Sequence, residues 1–391
     1  MTDSRYPIGV DGFYQPRRAA FWLFVLLLVN GIFSFATEVY DGIQVVPTTI
    51  FVALLVWSLY AAVPLWFFHR FLDLFTQHPA LGFVLAFAWG GFAATYLARA
   101  ANHALLSILA KTAGTDFANE WGAAIAGPTT EELLKVLGVI LLVLIARTQF
   151  RTLLAAVSIG AVVGLGFQVI EDFDYTLNVA LAYPGPHEIV PVLQMLLARG
   201  LASGLWSHAL FTSITALGVG YFVTRRNKPF AVRLLVAVGC FLLGYAFHFF
   251  WNSPLLPASS IFELPLRGLP LLLLGALLWR LAGKEEASHL TAIADAYVSD
   301  DVITAEERRA LASLRLRRQL RRQATKEHGR KAGRMYRELQ HRQLTLVMQY
   351  GQYGRSPRTE LDELDVRIMK DRYREVTGST TSTAAHAGAT N

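Results

Sequence analysis

Four short motifs carry the chemistry this sequence could perform. Glu131, Glu132 and Lys135 form the first, and Glu171 and Tyr175 the second, with Asp172 and Asp174 between them. His208 opens the third, and His248 and Asn252 bound the fourth. Two imidazoles with one or two carboxylates suit zinc as an activator of water. His208, His248 and Glu171 are then the candidate ligands, and a further carboxylate is the general base. A metal-free scheme is also open, in which Glu131 and His208 activate water while His248 and Asn252 stabilise the oxyanion. The spacing is not His-Glu-x-x-His, so the zinc-peptidase helix of that kind is absent. Ser207 adjoins His208 but points to another helix face, so activated water is a better nucleophile than a side chain here.

Spacing refines the roles. Glu131 and Lys135, Glu171 and Tyr175, and His248 and Asn252 are each four residues apart, so each pair shares one helix face. Glu132 lies about 100° round from Glu131, and the two carboxylates need not do the same work. Plainer readings compete. Gly127-Pro128 followed by Thr129 and Glu132 fits a capping box that starts a new helix, and such a start would itself favour an ionised carboxylate. A lone histidine in an apolar helix is more often a hydrogen-bonded core residue. Asp172 and Asp174 could simply meet water. Arg199 reads as an interfacial or pairing residue, and Trp206 and Trp251 as packing.

The elements that must position these residues are apolar. The chain has 391 residues, 53% hydrophobic and 17% charged, where a soluble domain is nearer a quarter charged. Apolar runs of about 20 residues, the length a bilayer core demands, occur at about 20–36, 47–68, 80–98, 121–146, 152–180, 192–223, 231–253 and 264–282. The fold class expected is therefore all-α, a polytopic membrane protein of about eight transmembrane helices. The first run lacks a clear small-residue cleavage site and does not read as a signal peptide. Cys240 is the only cysteine, which rules out an intrachain disulfide or a thiolate metal cage.

An ionisable side chain in hydrocarbon costs at least about 2.5–3.5 kcal/mol, so it normally faces a bundle interior and a partner. Four successive spans carry that cost, which argues for one shared site. Counted from the basic end of each span, Glu131, Glu171, His208 and His248 lie about 16–20 residues in, or roughly 24–30 Å at 1.5 Å per residue. Antiparallel neighbours would bring them to one level, in the outer half of the bilayer.

Basic residues set the orientation. Arg17 and Arg18, His69 and Arg70, Arg147 and Arg151, Arg225, Arg226 and Lys228, and Lys284 fall on alternate connections. Glu38 and Asp41, Asp116 and Glu120, Glu188, and Glu263 fall on the others, with Lys111 their main basic residue. Both termini are then cytoplasmic in a cell-membrane protein. The expected organisation is a cytoplasmic segment 1–19, a membrane domain 20–283, a charged helical region 284–375, and a disordered end 376–391. Arg315–Arg342 holds eleven Lys or Arg against Glu327 and Glu338. That basic tail suits anionic lipid headgroups or an acidic partner, or is a solvated face obeying the positive-inside bias. Nucleic acid is the weaker partner, since no reading module accompanies the charge.

Together, the Glu-Glu-x-x-Lys of Glu131, Glu132 and Lys135, the Glu171–Tyr175 motif, the run from His208 to Ser213 and the run from His248 to Asn252 resemble the PrsW family of intramembrane proteases. This family is related to the CAAX prenyl proteases. The resemblance covers roughly residues 80–283. It implies a multi-pass peptidase classed as a metalloprotease, with Glu131, Glu132, His208 and His248 catalytic or metal-binding and Glu171 and Asn252 in support. It also implies a membrane-anchored protein substrate, such as an anti-sigma factor. The competing class is an ion- or proton-coupled transporter using the same buried Glu, His and Lys. Against it stands the absence of an internal repeat. A catalytically dead scaffold is a third class.

Overall fold

The computed structural model describes residues 11–68, 80–150, 152–183, 185, 187–204, 207–255 and 263–378, and no strand occurs among them. His69, Arg70, Arg151, Trp206 and the tail beyond residue 378 lie outside the described residues. Asp11–Glu285 pack as one compact unit, and the chain from Glu286 onward belongs to a second.

The first unit is built from α1 (Ala19–Val45), α2 (Pro47–Phe67), α3 (Ala80–Ala113), α4 (Thr115–Ile145), α5 (Leu153–Ala182), α6 (Val190–Ser203), α7 (His208–Thr224) and α8 (Phe230–Asn252). The boundary between the units falls within α9 (Glu263–Tyr297). By length and composition, six stretches among the described residues could cross a membrane: α1, α2, α3, α5, α8 and Leu266–Tyr297 of α9. The two expected spans outside that set have physical reasons. Helix α4 carries Glu131, Glu132 and Lys135 at its middle, and the expected span 192–223 is not one helix.

That span corrects the sequence expectation. The chain leaves helical geometry before His208, with Ser207 at φ −110°, ψ −123°, and α6 is π-helical from Leu196 to Ser203. Broken helices at membrane depth survive where the freed backbone lines a polar cavity, and the break here sets His208 at the first position of α7. A second correction concerns Pro128. Helix α4 runs through it without interruption, so no capping box starts a helix there. Thr129 Oγ1 instead donates to the Ile125 carbonyl at 2.6 Å. Glu38 and Asp41, expected in an external connection, lie within α1.

Helix α5 is the hub. It is buried without interruption from Leu154 to Ile170. One of its faces meets Trp89, Val139 and Leu142 through Val163 and Phe167, and another meets Ile50 and Trp57 through Leu165, Val169 and Phe173. Helices in lipid gain little from burying apolar surface, so close approach by small residues matters more. Gly164 shows this: a Cβ there would lie 2.2 Å from the His208 carbonyl oxygen. The side chain that α5 lacks is the space His208 needs.

In the second unit, α10 (Ala305–Leu311) starts at a Thr304–Glu307 capping box and α12 (Pro357–Thr377) at a Ser356–Thr359 box. Between them α11 (Leu314–Tyr353) is kinked at Gly329, whose φ of 84° favours glycine. Lys370 Nζ on α12 lies 2.9 Å from Glu307 Oε2 on α10.

Candidate active site

Helices α3 to α8 enclose a cavity of about 380 Å³. Its floor is Glu131, His208 and His248, one residue from each of three helices. One ligand atom from each lies within 4.8 Å of the others. Glu131 Oε2 is 3.8 Å from His208 Nδ1 and 3.7 Å from His248 Nε2. It is buried and accepts no hydrogen bond.

Glu132, the next residue on α4, faces away from this opening. It and Lys135 are wholly buried, and Lys135 Nζ sits 2.6 Å from Glu132 Oε1. The same oxygen lies 2.9 Å from His248 Nδ1. A carboxylate can only accept, so Nδ1 carries the proton and Nε2 is left bare toward Glu131. His208 is fixed from both sides: Lys135 Nζ lies 2.9 Å from Nδ1 and Glu171 Oε2 lies 3.1 Å from Nε2. The ammonium can only donate, so Nδ1 accepts and Nε2 donates to Glu171. One bare ring nitrogen, His248 Nε2, and one carboxylate oxygen that accepts no hydrogen bond, Glu131 Oε2, therefore converge with His208 Nδ1, whose lone pair Lys135 occupies. Lys135 Nζ also lies 3.7 Å from Glu131 Oε2. The aromatic wall continues the packing, with Phe211 stacked on His248 at 4.8 Å and Lys135 over the Phe167 ring at 4.4 Å.

Around this floor, carboxylates are paired as buried charges must be. Arg199 donates from Nη2 to Glu171 Oε2 and from Nε to Asp172 Oδ1, both at 2.6 Å, and its guanidinium stacks on Tyr175 at 3.9 Å. Asp174 pairs with Arg99, which also reaches Glu38 at 2.9 Å. Asn252 Nδ2 donates to the Ala123 carbonyl at 3.2 Å. Ser207 Oγ donates to Gln168 Oε1 at 3.0 Å.

The described residues of the four motifs thus line or adjoin one cavity. The carboxylate that approaches both imidazoles is Glu131, while Glu171 stands on the outer side of His208, paired with Arg199. Sequence reasoning missed Asn102, which donates from Nδ2 to Glu131 Oε1 at 3.1 Å and accepts from Thr130 Oγ1 through its own oxygen. It also missed Arg99. Both lie beyond or at the end of the expected span 80–98, and the continuation of α3 to Ala113 was the signal that the hydropathy boundary hid.

Zinc bound to imidazole nitrogen and carboxylate oxygen at about 2.0–2.2 Å places tetrahedral ligands about 3.3–3.5 Å apart. Separations of 3.7 and 3.8 Å with one oxygen unbonded fit that donor set. The Nδ1 lone pair of His208 can serve Lys135 or a cation, not both.

A bundle of apolar helices closed around two imidazoles and a carboxylate defines a class, that of membrane-embedded proteins with a metal-competent polar site. Residues 78–279, just over half of the chain, match the PrsW family intramembrane metalloprotease, and the chain belongs to that family. It is an intramembrane protease rather than an ion-coupled transporter. No curated protein and no solved structure shows a significant match.

Proposed function

We propose that this protein hydrolyses a membrane-anchored protein substrate with activated water, at a site in the outer half of the cell membrane and with both termini cytoplasmic. The observation that carries the reading is Glu131 Oε2, which accepts no hydrogen bond and lies 3.7 Å from His248 Nε2 and 3.8 Å from His208 Nδ1 in one cavity. Glu131, His208 and His248 would hold a divalent cation, of which zinc best suits the donors. Bound there, it would supply Lewis acidity that acidifies water and polarises a carbonyl.

The other residues then have separable roles. Glu132 fixes the His248 tautomer, and Glu171 does the same for His208 from the opposite side. Lys135 balances the buried Glu132 charge. Arg199 keeps Glu171 and Asp172 from facing one another unpaired. Asn252 closes the cavity beside Gly127, and Tyr175 backs Arg199. An anti-sigma factor is the kind of substrate the resemblance implies.

Full-length protein and its Glu131→Gln and His208→Ala variants, reconstituted with a membrane-anchored reporter, test this directly. Cleavage should be lost in both variants. Persistence of cleavage in both would remove the reading.

A further inference from the structure

The second unit carries a groove whose composition has no counterpart in the peptidase site. Helix α11 doubles back at Gly329, and its two arms touch where a Cβ on Gly333 would lie 1.9 Å from Thr325 Oγ1. Farther from the bend, Arg321 Nε donates to Gln340 Oε1 at 2.5 Å. The face enclosed between the arms is lined by Arg321, Arg322 and Lys326 from one arm and Arg330, Arg334 and Arg337 from the other, with only Thr325 and Gly333 besides.

Six cations facing one groove repel each other, and no carboxylate lines it. The two acids of this stretch are engaged elsewhere, Glu327 with Gln323 at 3.0 Å and Glu338 with Arg342 at 3.1 Å. Among the described residues Arg322, Lys326, Arg330, Arg334 and Arg337 make no hydrogen bond or ion pair. A solvated face obeying a charge bias would spread its cations over the helix surface; here a glycine bend turns them toward one another.

We propose that this groove binds the phosphate headgroup of an anionic lipid. Five of the six cations are arginines, whose planar forks match phosphate oxygens in pairs. The lining offers no aromatic ring on which a base could stack and no apolar pocket in which a protein side chain could anchor. Lipid is the source because the unit is covalently continuous with a membrane-capable helix, Leu266–Tyr297, and such a linkage raises the effective concentration of headgroups for a cationic surface.

The test uses the full chain in nanodiscs of phosphatidylcholine alone or mixed with phosphatidylglycerol. Arginines are modified with phenylglyoxal and the sites quantified by mass spectrometry. The anionic discs should lower modification of Arg322, Arg330, Arg334 and Arg337 several-fold relative to Arg358, an exposed arginine outside the groove. Equal protection of Arg358 would mean a diffuse surface effect and overturn the site, as would no protection at all. Equal protection by inorganic phosphate in neutral discs would assign a soluble anion and overturn the lipid. In the Arg330→Gln/Arg334→Gln variant, protection of Arg322 and Arg337 should disappear; its survival would also overturn the proposal. All four positions are exposed, so these changes leave the helices intact, which circular dichroism checks.

Discussion

His248 Nδ1 donates to Glu132 Oε1 at 2.9 Å, and that single contact decides which nitrogen of His248 faces Glu131. Because Lys135 lies 2.6 Å from the same oxygen, Glu132 serves as orienter and counter-charge at once. Glu132→Gln keeps the shape but removes the charge and replaces one acceptor oxygen by a donor. Losing an outer partner of a metal-ligating histidine typically lowers metal affinity about 10–100-fold. Zinc affinity measured by chelator competition should fall within that range. Unchanged affinity would show that His248 is held without Glu132.

Asn102 aims Glu131. Its amide nitrogen occupies Oε1 at 3.1 Å and so leaves Oε2 without a hydrogen bond, while Thr130 fixes which way the amide points. Asn102→Ala should reduce both metal affinity and the turnover rate, with little change in KM for the reporter. Thr130→Val should reproduce part of the loss and Thr130→Ser should restore it. A purely structural role would shift unfolding temperature in all three without this order.

The four motifs were legible because charge inside an apolar run is costly enough to need a reason. Glu131, Glu132, Lys135, Glu171, His208 and His248 all announce themselves in that way. Asn102 carries no charge and stood beyond a boundary set by hydropathy, and Glu38 was assigned to a connection because α1 outlasts its most apolar stretch. The break before His208 was hidden for another reason: the hydropathy of residues 192–223 stays high despite Arg199 and His208, and only backbone geometry separates α6 from α7. Pro128 misled because a proline's missing N–H is tolerated in a membrane helix when neighbouring groups satisfy the backbone, and Thr129 with Asn252 surrounds that turn.

Arg199 holds two carboxylates with two separate nitrogens. Asp172 is buried while Arg199 and Glu171 are partly exposed, so removing the guanidinium leaves chiefly the Asp172 charge uncompensated, at a cost below the ~3–5 kcal/mol of a fully buried pair. Arg199→Ala should therefore destabilise the protein, read as a fall in unfolding temperature in detergent. Arg199→Lys should recover only part of it, because a point charge cannot bridge both partners as the planar fork does.

Gly164 tests whether helix approach positions the chemistry. An added methyl at this position meets the His208 carbonyl oxygen at 2.2 Å and Ala209 Cα at 2.8 Å, both backbone atoms that cannot rotate away. Either α7 moves off α5 or the strain remains, and overpacking of this kind costs about 1–3 kcal/mol. A displaced α7 carries His208 with it, away from Glu131 and Lys135. Gly164→Ala should thus lower stability and bound zinc together, measured by thermal unfolding and by metal analysis of the purified protein. Gly239 on α8 is the control, since nothing lies within 4 Å of a Cβ there and alanine is the better helix former by about 1 kcal/mol. Gly239→Ala should leave zinc content unchanged. If Gly164→Ala retained full zinc despite reduced stability, the α5–α7 approach would matter to folding but not to the site.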